Sequence, residues 1–412
     1  MSLLLLLLLL LSLFSGVSAE EPLTRTHVTS LPGFNGALPS RLETGFVRQK
    51  LFAIMLYLTM TRYVTVDEEN GAELFYYFFE SEGDPGSDPV LLWLTGGDRC
   101  SVLSALFFEI GQQPKQTQNK PRCHPRVSDH HVVNSSRCDY PAGPLKLVIE
   151  PYNGSLPRLQ YHPYSWTKVA SILFVDSPVG AGFSFSRDPK GYDVGDVSAS
   201  LQLVKFLSNW FGGHPEYLTN PFYVGGDSYA GKIVPFIAQK ISEDIEAGVR
   251  PTLNLKGYVV GNPTTGERID YESKVPYLHG VGIISDQLYE LLNEVSKPHI
   301  LYNKCISMSP IPKFESMDRK ILKEELGILK HRPPRPSIQC VSYSNYLSYF
   351  WANNNVTREY LGIKKGSVDE WIRCHDNDLP YTKDIKSSIQ YHHNVTLNGY
   401  RALVYSSRYS VP

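Results

Sequence analysis

The sequence lacks an excess of charge of either sign. Its 40 lysines and arginines nearly balance its 41 aspartates and glutamates, so the formal net charge is -1 and the pI is about 6.9. A chain with so little net charge has no extended field with which to hold nucleic acid or an anionic membrane surface. We therefore expect no nucleic-acid partner, and the substrate must be recognised by local contacts.

The sequence also lacks the common signatures of metal and cofactor sites. None of its six cysteines forms a C-x-x-C pair, and histidine and cysteine do not cluster as zinc ligands do. No phosphate-binding loop is present, and residues 180–182 lack the glycine spacing of a dinucleotide fingerprint. We predict no metal and no organic cofactor.

No apolar run is long enough to cross a bilayer. The leucine run over residues 3–11 is short, and small residues follow it up to Ala19, just before two glutamates. This pattern predicts a cleaved secretory signal over residues 1–19, although no lysine or arginine precedes the run. We expect an extracellular or vacuolar protein with no membrane anchor once the signal is removed.

Two further features fit the secretory route. Acceptor sequons for N-glycosylation begin at Asn134, Asn153, Asn355 and Asn394. The six cysteines favour disulfides in that compartment, but their number alone fixes no pairing.

Strand-like and helical patterns alternate along the rest of the chain. Apolar, strand-like segments lie at residues 73–79, 90–94, 171–175, 222–224, 255–260 and 401–405. Residues 31–34 and 42–45 are interpreted as extended, turn-rich backbone before the first strand. Helical spacing follows at residues 196–211 and 232–246. The first of these helices is predicted to bury one face, made of Val197, Leu201, Val204, Leu207 and Trp210. The alternation predicts a single α/β domain with a mainly parallel sheet covered by helices on both faces.

Small and polar residues follow four of the strands. These groups are residues 95–97, residues 176–178, Ser228 and residues 261–262. Because the carboxyl ends of parallel strands meet along one edge of a sheet, we expect the four groups to converge there.

The stretch at residues 226–231, GDSYAG, has the form of a nucleophile elbow. A short apolar strand precedes it, a helical pattern follows it, and Gly226 and Ala230 flank Ser228 without bulky side chains. Such a turn presents a serine hydroxyl and the next backbone N–H to a substrate together.

Three motifs in this order resemble the serine carboxypeptidase family of α/β-hydrolases. They are residues 91–97 (LLWLTGG), 174–184 (FVDSPVGAGFS) and 226–231, and the resemblance covers most of residues 28–405. It implies that Ser228 is the nucleophile and that the N–H groups of Gly97 and Tyr229 form the oxyanion hole. It also implies substrate binding by Thr95, Gly96 and Asp227, and two disulfides, Cys100 with Cys374 and Cys305 with Cys340.

Two positions help to distinguish the peptidases of this family from the members that resemble acyltransferases. Where its peptidases usually carry Asn and Glu to bind the substrate's terminal carboxylate, this chain has Thr95 and Asp227. The same pair occurs in many plant members that resemble acyltransferases, which move an acyl group from a glucose ester to an alcohol or amine. Both reactions pass through an acyl-serine and differ in the acceptor.

The chain departs from the family pattern after its last predicted strand. The family places the triad aspartate just after that strand and the histidine further on, but residues 406–412 contain neither. The histidines after Ser228 all precede the strand, and none is assigned a role: His279, His299, His331, His375, His392 and His393. We therefore expect a C-terminally truncated member in which the final strands are missing and turnover is impaired, since loss of the histidine costs about 10⁶-fold in kcat in another serine protease.

Three local features also look atypical. Residues 46–62 and 112–142 are predicted to be inserts, and the second shows no helical or strand period. Asp98 and Arg99 stand where the family usually has Pro and Gly. If position 99 needed a positive φ, arginine there would cost about 1–3 kcal/mol.

Three functions therefore stay open. The first is a serine carboxypeptidase-like hydrolase that releases C-terminal residues from peptides through an acyl-serine. The second is an acyltransferase that uses glucose esters. The third is a non-catalytic secreted binding protein, or a misspliced product of a functional gene. The partner is a peptide or an acyl-glucose substrate in the first two cases, and the sequence assigns no oligomeric state.

Overall fold

The structure is a computed structural model. It describes residues 25–46, 66–67, 69–107, 126–128, 131–133, 142–266, 269–295, 335, 338, 342–375 and 379–406. The predicted signal over residues 1–19, most of the predicted insert at 46–62, and the residues Cys123, Asn134, Cys138, Cys305 and Cys340 lie outside this part of the chain.

Eight strands form one sheet. In spatial order they are β1 (Arg25–Val28), β2 (Leu42–Phe46), β4 (Phe75–Phe79), β10 (Ser171–Val175), β5 (Val90–Leu94), β13 (Phe222–Asp227), β14 (Leu255–Gly261) and β16 (Arg401–Tyr405). The last five pair in parallel, whereas β1, β2 and β4 add an antiparallel edge. The predicted mainly parallel sheet is confirmed.

The remaining strands form four separate pairs. They are β3 (Ala72–Glu73) with β11 (Phe185–Ser186), β12 (Val194–Gly195) with β15 (Tyr381–Thr382), β6 (Arg126–Ser128) with β7 (His131–Val133), and β8 (Leu145–Leu147) with β9 (Leu159–Tyr161). The β6 and β7 pair lies within the predicted insert at 112–142, although the sequence shows no strand period there. Phe46, the first residue of the other predicted insert, belongs to β2 and pairs with Phe75.

Helices cover both faces of the sheet, as predicted. The helices in the described part of the chain are α1 (Leu103–Phe107), α2 (Asp196–Gly213), α3 (Ala230–Glu246), α4 (Ile269–Glu272), α5 (Lys274–Gly280), α6 (Asp286–Val295), α7 (Ser342–Asn353), α8 (Asn355–Tyr360) and α9 (Ile389–Leu397). Short 3₁₀ turns lie at Trp166–Lys168, Pro189–Tyr192 and Pro215–Tyr217. None of these helices has both the length and the apolar character needed to cross a membrane.

Alternate side chains of the strands point into two buried cores. Along β4, Tyr76 and Phe78 join one core with α2 and α3, and Phe75 and Tyr77 join the other with α1 and α7. This alternation follows from the two-residue period of a strand, and it buries the parallel strands on both sides.

The buried face of α2 differs from the predicted one. Leu207 and Trp210 are buried as expected, but Val197 is only half-buried and Leu201 is 43% exposed. The buried residues of the helix are Asp196, Ala199, Ser200, Gln202, Leu203, Phe206, Leu207, Trp210 and Phe211. A pattern based on large aliphatic residues gives little weight to Ala199 and Ser200. The predicted buried face is therefore rotated about the helix axis relative to the observed one.

Candidate active site

Ser228 lies in the sharp turn between β13 and α3. Its φ is 57°, and among the described residues other than glycine only Asn262 shares a positive φ. Backbone hydrogen bonds hold this conformation: Ser228 N donates to Gly261 O (2.9 Å) and Thr264 N donates to Ser228 O (2.9 Å). A left-handed conformation at a serine costs about 1–3 kcal/mol, so neighbouring structure must enforce it. The predicted elbow geometry is present.

Gly226 is required by the packing of this turn. A Cβ added there would lie 2.5 Å from Cβ of Ala230 and 2.8 Å from Leu94 O. The strand and the helix therefore approach each other as closely as the backbone allows.

The loop after β5 lies against the Ser228 side chain. A Cβ added to Gly96 would lie 2.7 Å from Cβ of Ser228 and 3.2 Å from its Oγ. Gly97 has a φ of +86° and is exposed. Within the described part of the chain its N–H has no hydrogen-bond acceptor, and it can donate to a substrate oxygen. The sequence predicted only that these two loops lie at the same edge of the sheet. The structure shows that they pack directly against each other.

Asp227 and Asn262 form a polar pair beside the nucleophile. Asn262 follows β14, and its Nδ2 donates to Oδ1 of Asp227 (3.1 Å). Burial raises the pKa of Asp227 to about 6, although the Asn262 hydrogen bond acts in the opposite direction. Such a carboxyl group is partly protonated in mildly acidic solution, so it can donate a hydrogen bond as well as accept one. Thr95, at the end of β5, is buried.

Arg99 carries none of the backbone strain that a positive φ would have caused. Its φ is not positive, and its side chain is buried. The guanidinium donates to the carbonyl oxygens of Val179 (2.6 Å), Tyr192 and Pro380. Arginine therefore joins three segments of the chain here instead of straining a glycine position.

The structure contains the disulfide between Cys100 and Cys374, the pair that the family resemblance implies. Two backbone hydrogen bonds accompany it, from Ser101 N to Arg373 O (2.7 Å) and from His375 N to Arg99 O (3.1 Å). The bond joins residues 274 positions apart, and it ties the loop after β5 to a late segment of the chain.

Asp176 follows β10, and its carboxylate forms hydrogen bonds at the end of the loop after β5. Its carboxylate accepts hydrogen bonds from Ser101 Oγ (2.8 Å), Val102 N (2.8 Å) and Phe183 N (3.0 Å). Complete burial raises the pKa of Asp176 to about 6, against the effect of these donors. Residues from four strand ends therefore meet at one rim, as predicted.

No described histidine forms a hydrogen bond with Ser228. His392 contacts Tyr258 OH through Nδ1 (2.6 Å), and His279 contacts Asp286 through Nε2 (2.7 Å). His299 and His331 lie outside the described residues. Sequence reasoning assigned a role to none of them.

Other predicted sites are placed as follows. Asn153, Asn355 and Asn394 are exposed, and the hydroxyl of the sequon residue Ser155 donates to Oδ1 of Asn153 (2.6 Å). Within the described ranges, no group of three or more His, Cys, Asp or Glu side chains is arranged to hold a metal ion.

Sequence reasoning assigned no role to three residues that form hydrogen bonds at the site. The amide of Asn262, the guanidinium of Arg99 and the carboxylate of Asp176 all act at the rim. Asn262 and Asp176 had a signal, since both follow predicted strands. Arg99 had none, because its acceptors are backbone carbonyl groups far away in the sequence.

A model of the serine carboxypeptidase family matches residues 56–127 and 140–410. The match includes parts of both predicted inserts and leaves out residues 128–139.

Similar proteins come from a plant and a yeast. Serine carboxypeptidase-like 3 of Arabidopsis thaliana is 39% identical over 406 residues, covering 97% of this chain and 79% of that protein. Serine carboxypeptidase-like 19 of the same plant is 36% identical over 411 residues, covering 92% and 77%. The crystal structure of KEX1(DELTA)P, a prohormone-processing carboxypeptidase from Saccharomyces cerevisiae, has a TM-score of 0.59 at 16% identity and covers 93% of this chain and 77% of that one.

The three findings agree on fold and family. The yeast structure, at its low identity, supports the α/β-hydrolase fold alone, and the described sheet has that arrangement. The family model matches well over half of the chain, and the plant relatives match it over nearly its whole length. The chain therefore belongs to the serine carboxypeptidase family.

Proposed function

We propose that this site binds the carbonyl group of a peptide or ester and that Ser228 forms an acyl-serine with it. The observation that carries the proposal is the close approach of Gly96 to the Ser228 side chain, because Gly97, the proposed donor, is the next residue in the same loop. A nucleophile and a preorganised donor so arranged are what acyl transfer requires.

The chemistry follows from these positions. Oγ of Ser228 attacks the carbonyl carbon, its proton passes to a base, and the carbonyl oxygen becomes an oxyanion held by the N–H groups of Gly97 and Tyr229. The bond to the amine or alcohol then breaks as that group takes a proton, and an acyl-serine remains. Water or another nucleophile releases the acyl group. Each oxyanion donor contributes about 2.7–4 kcal/mol to the transition state.

We propose carboxypeptidase-type recognition as the first candidate. A protonated Asp227, with its pKa raised to about 6 by burial, can donate a hydrogen bond to the free carboxylate of a C-terminal residue. Its partner Asn262 keeps the carboxyl group oriented. This arrangement suits a substrate that carries a terminal carboxylate, and it works best in acidic solution.

Acyl transfer from a glucose ester is the second candidate. It is favoured by the identities of Thr95 and Asp227, where the family's peptidases usually have Asn and Glu. The same oxyanion donors would serve an ester carbonyl, and only the leaving group and the acceptor would change.

No general base is assigned among the described residues of the site. Among the described residues, no imidazole reaches Oγ of Ser228. We therefore propose that the described residues bind the substrate and present Ser228, and we assign no base among them. A non-catalytic binding protein would present the same site without turnover. An organophosphate with fluoride as its leaving group should still react, because fluoride leaves without first taking a proton from a general acid.

The test is labelling with diisopropyl fluorophosphate, followed by peptide mass spectrometry. The Ser228 oxygen forms a bond to phosphorus, the P–F bond breaks, fluoride leaves and the hydroxyl proton goes to solvent. We expect a single adduct on Ser228 that is absent in Ser228→Ala. A chain that is folded by circular dichroism but acquires no adduct at Ser228 would overturn the proposal.

A second measurement separates the two candidates. The chain is incubated with a blocked dipeptide or with a 1-O-acyl glucose, and the mass of the Ser228 peptide is followed. Acylation by the dipeptide supports the peptidase assignment, and acylation by the sugar ester alone supports the transferase.

We also propose that the protein enters the secretory pathway. Support comes from the leader-like residues 1–19, the disulfide between Cys100 and Cys374, and the exposed sequon asparagines. Such a disulfide is typical of oxidising compartments.

A further inference from the structure

Asp196 is a fully buried carboxylate with no part in the proposed bond-making steps. It is the first residue of α2. Its Oδ1 accepts hydrogen bonds from Tyr229 OH (2.8 Å) and Tyr381 OH (2.8 Å), and its Oδ2 accepts one from Ile385 N (3.0 Å). Burying a carboxylate costs several kcal/mol unless such donors replace water. The donors come from two functional segments of the chain.

The first segment is the elbow. Tyr229 follows Ser228 directly, and its N–H is the proposed second donor of the oxyanion hole. The hydroxyl of the same residue is tied to Asp196. Motion of α2 at Asp196 is therefore transmitted to the residue beside the nucleophile.

The second segment is residues 379–388, here called the strap. The strap also contacts the loop that carries Gly97, because Lys383 Nζ lies 2.9 Å from Asp98 Oδ2 and Arg99 donates to Pro380 O. At its far end Ser388 Oγ donates to Gly231 O (2.9 Å), in the first turn of α3. The strap thus spans both loops that supply the oxyanion donors.

We propose that Asp196 is a positioning residue for the oxyanion hole, which by holding Tyr229 and the strap fixes the Tyr229 N–H relative to the Gly97 N–H. The inference rests on the proposed function, because it assigns a role within that acyl transfer. Asp196 does not touch the substrate and acts only through Tyr229 and the strap.

The state of Tyr381 supports this geometry. Burial and the nearby Asp196 charge raise the pKa of Tyr381 well above its usual value. The phenol therefore keeps its proton and remains a donor over the whole physiological range. The side chain of Lys383, 61% exposed, lies with its Nζ 5.4 Å from the centre of the Tyr229 ring and adds a weaker link between strap and elbow.

The expected effect follows from the geometry of transition-state binding. An oxyanion gains full stabilisation only when both donors lie about 3 Å from it, and loss of one donor costs about 10²–10³-fold in rate. Removing the Asp196 carboxylate shifts the Tyr229 N–H, but this donor is still present. We therefore expect about a tenfold loss in the rate of the bond-forming step, with little change in reversible binding.

The experiment measures diisopropyl-phosphorylation of Ser228 as a function of diisopropyl fluorophosphate concentration. In Asp196→Ala the limiting rate should fall about tenfold, while the concentration giving half that rate stays within about twofold. In Asp196→Asn, whose Oδ1 still accepts from the tyrosines, the fall should be smaller. Glu43→Gln is the matched control, since Glu43 is a buried carboxylate that accepts from Tyr76 OH (2.7 Å) in another part of the sheet. It should lower stability and leave the labelling rate of folded protein unchanged.

Hydrogen exchange gives a readout that does not depend on Ser228 reactivity. Peptides covering residues 95–100 and 226–232 should exchange faster in Asp196→Ala than in the parent chain or in Glu43→Gln. Unchanged exchange in both peptides overturns the inference, as does an unchanged labelling rate in Asp196→Ala. If the parent chain itself takes no label, the proposed function has failed, and the exchange data alone decide whether Asp196 positions the two loops.

Discussion

The two loops that meet at Ser228 are held in place by different means. The elbow, residues 226–231, is fixed at Ser228 by backbone bonds to Gly261 and Thr264 and by the close packing of Gly226, and its later residues are also tied to Asp196 and Ser388. The loop after β5, residues 95–101, is fixed by side chains and by residues from late in the chain. Arg99, the disulfide of Cys100 and the ion pair of Asp98 all reach segments beyond residue 370 or across the rim.

This difference has a consequence for how each loop responds to mutation. The elbow depends on the absence of side-chain atoms, so adding a methyl group damages it. The loop after β5 has the same sensitivity at Gly96 and depends in addition on particular side chains, so removing those side chains also damages it. An oxyanion hole made from one N–H of each loop is therefore damaged both by added side-chain atoms and by the removal of side chains.

The largest effect is expected at Arg99. Arg99→Met keeps much of the side-chain volume but leaves three carbonyl oxygens without their donor, those of Val179, Tyr192 and Pro380. We expect a loss of about 4 kcal/mol in unfolding free energy, since each buried acceptor left unsatisfied costs about 1–3 kcal/mol. Urea unfolding followed by tryptophan fluorescence measures it.

Arg158→Met is the control for this prediction. Arg158 forms a surface ion pair with Glu150, and their side chains are 57% and 41% exposed. The change should cost no more than about 0.5 kcal/mol. Equal losses in the two variants would show that the buried guanidinium does not hold the loop.

A smaller effect is expected at the elbow. In Gly226→Ala the new methyl group would lie 2.5 Å from Cβ of Ala230, and strand and helix must separate. We expect a loss of about 2–3 kcal/mol, the usual cost of forcing extra atoms into a packed core. Calorimetric melting of the variant and the parent chain measures it.

Gly212 offers a matched glycine in open space. It lies in the last turn of α2, and a Cβ there would meet nothing within 4 Å. Gly212→Ala should stabilise the chain by about 0.5–1 kcal/mol, because alanine favours the helix. If Gly226→Ala also stabilised, the elbow would not be packed as described.

The elbow and the sheet could be predicted from the sequence because their signals are local. Consecutive residues around Ser228 specify a strand, a turn and a helix, and each buried strand is a short apolar run. The same reasoning placed the buried face of α2 wrongly, since small residues such as Ala199 and Ser200 are buried there and carry little hydrophobic signal.

The bracing of the loop after β5 could not be predicted from the sequence pattern alone. Arg99 binds carbonyl groups, which every residue has, and its partner Pro380 lies 281 positions away. The pairing of Cys100 with Cys374 came from family resemblance and not from spacing. The partners of Asp196 became visible only when the strap was placed beside the elbow.

The smallest effect concerns pH, and it arises in the elbow at Asp227. Below about pH 6 its carboxyl group is largely protonated and can donate to a substrate carboxylate, and above that pH two negative charges repel each other. Because the raised pKa favours the protonated form, carboxylate binding should weaken as pH rises. A group with this pKa predicts about a tenfold loss of affinity between pH 5 and pH 7.

Isothermal calorimetry with a blocked dipeptide, on the Ser228→Ala background to prevent acylation, measures this loss of affinity. Asp227→Asn supplies an amide donor at every pH and should bind with nearly constant affinity, and the C-terminal amide of the same dipeptide should show no pH trend with either protein. A parent chain whose dipeptide affinity does not change across this range would remove Asp227 from carboxylate recognition, and the transferase candidate would then gain.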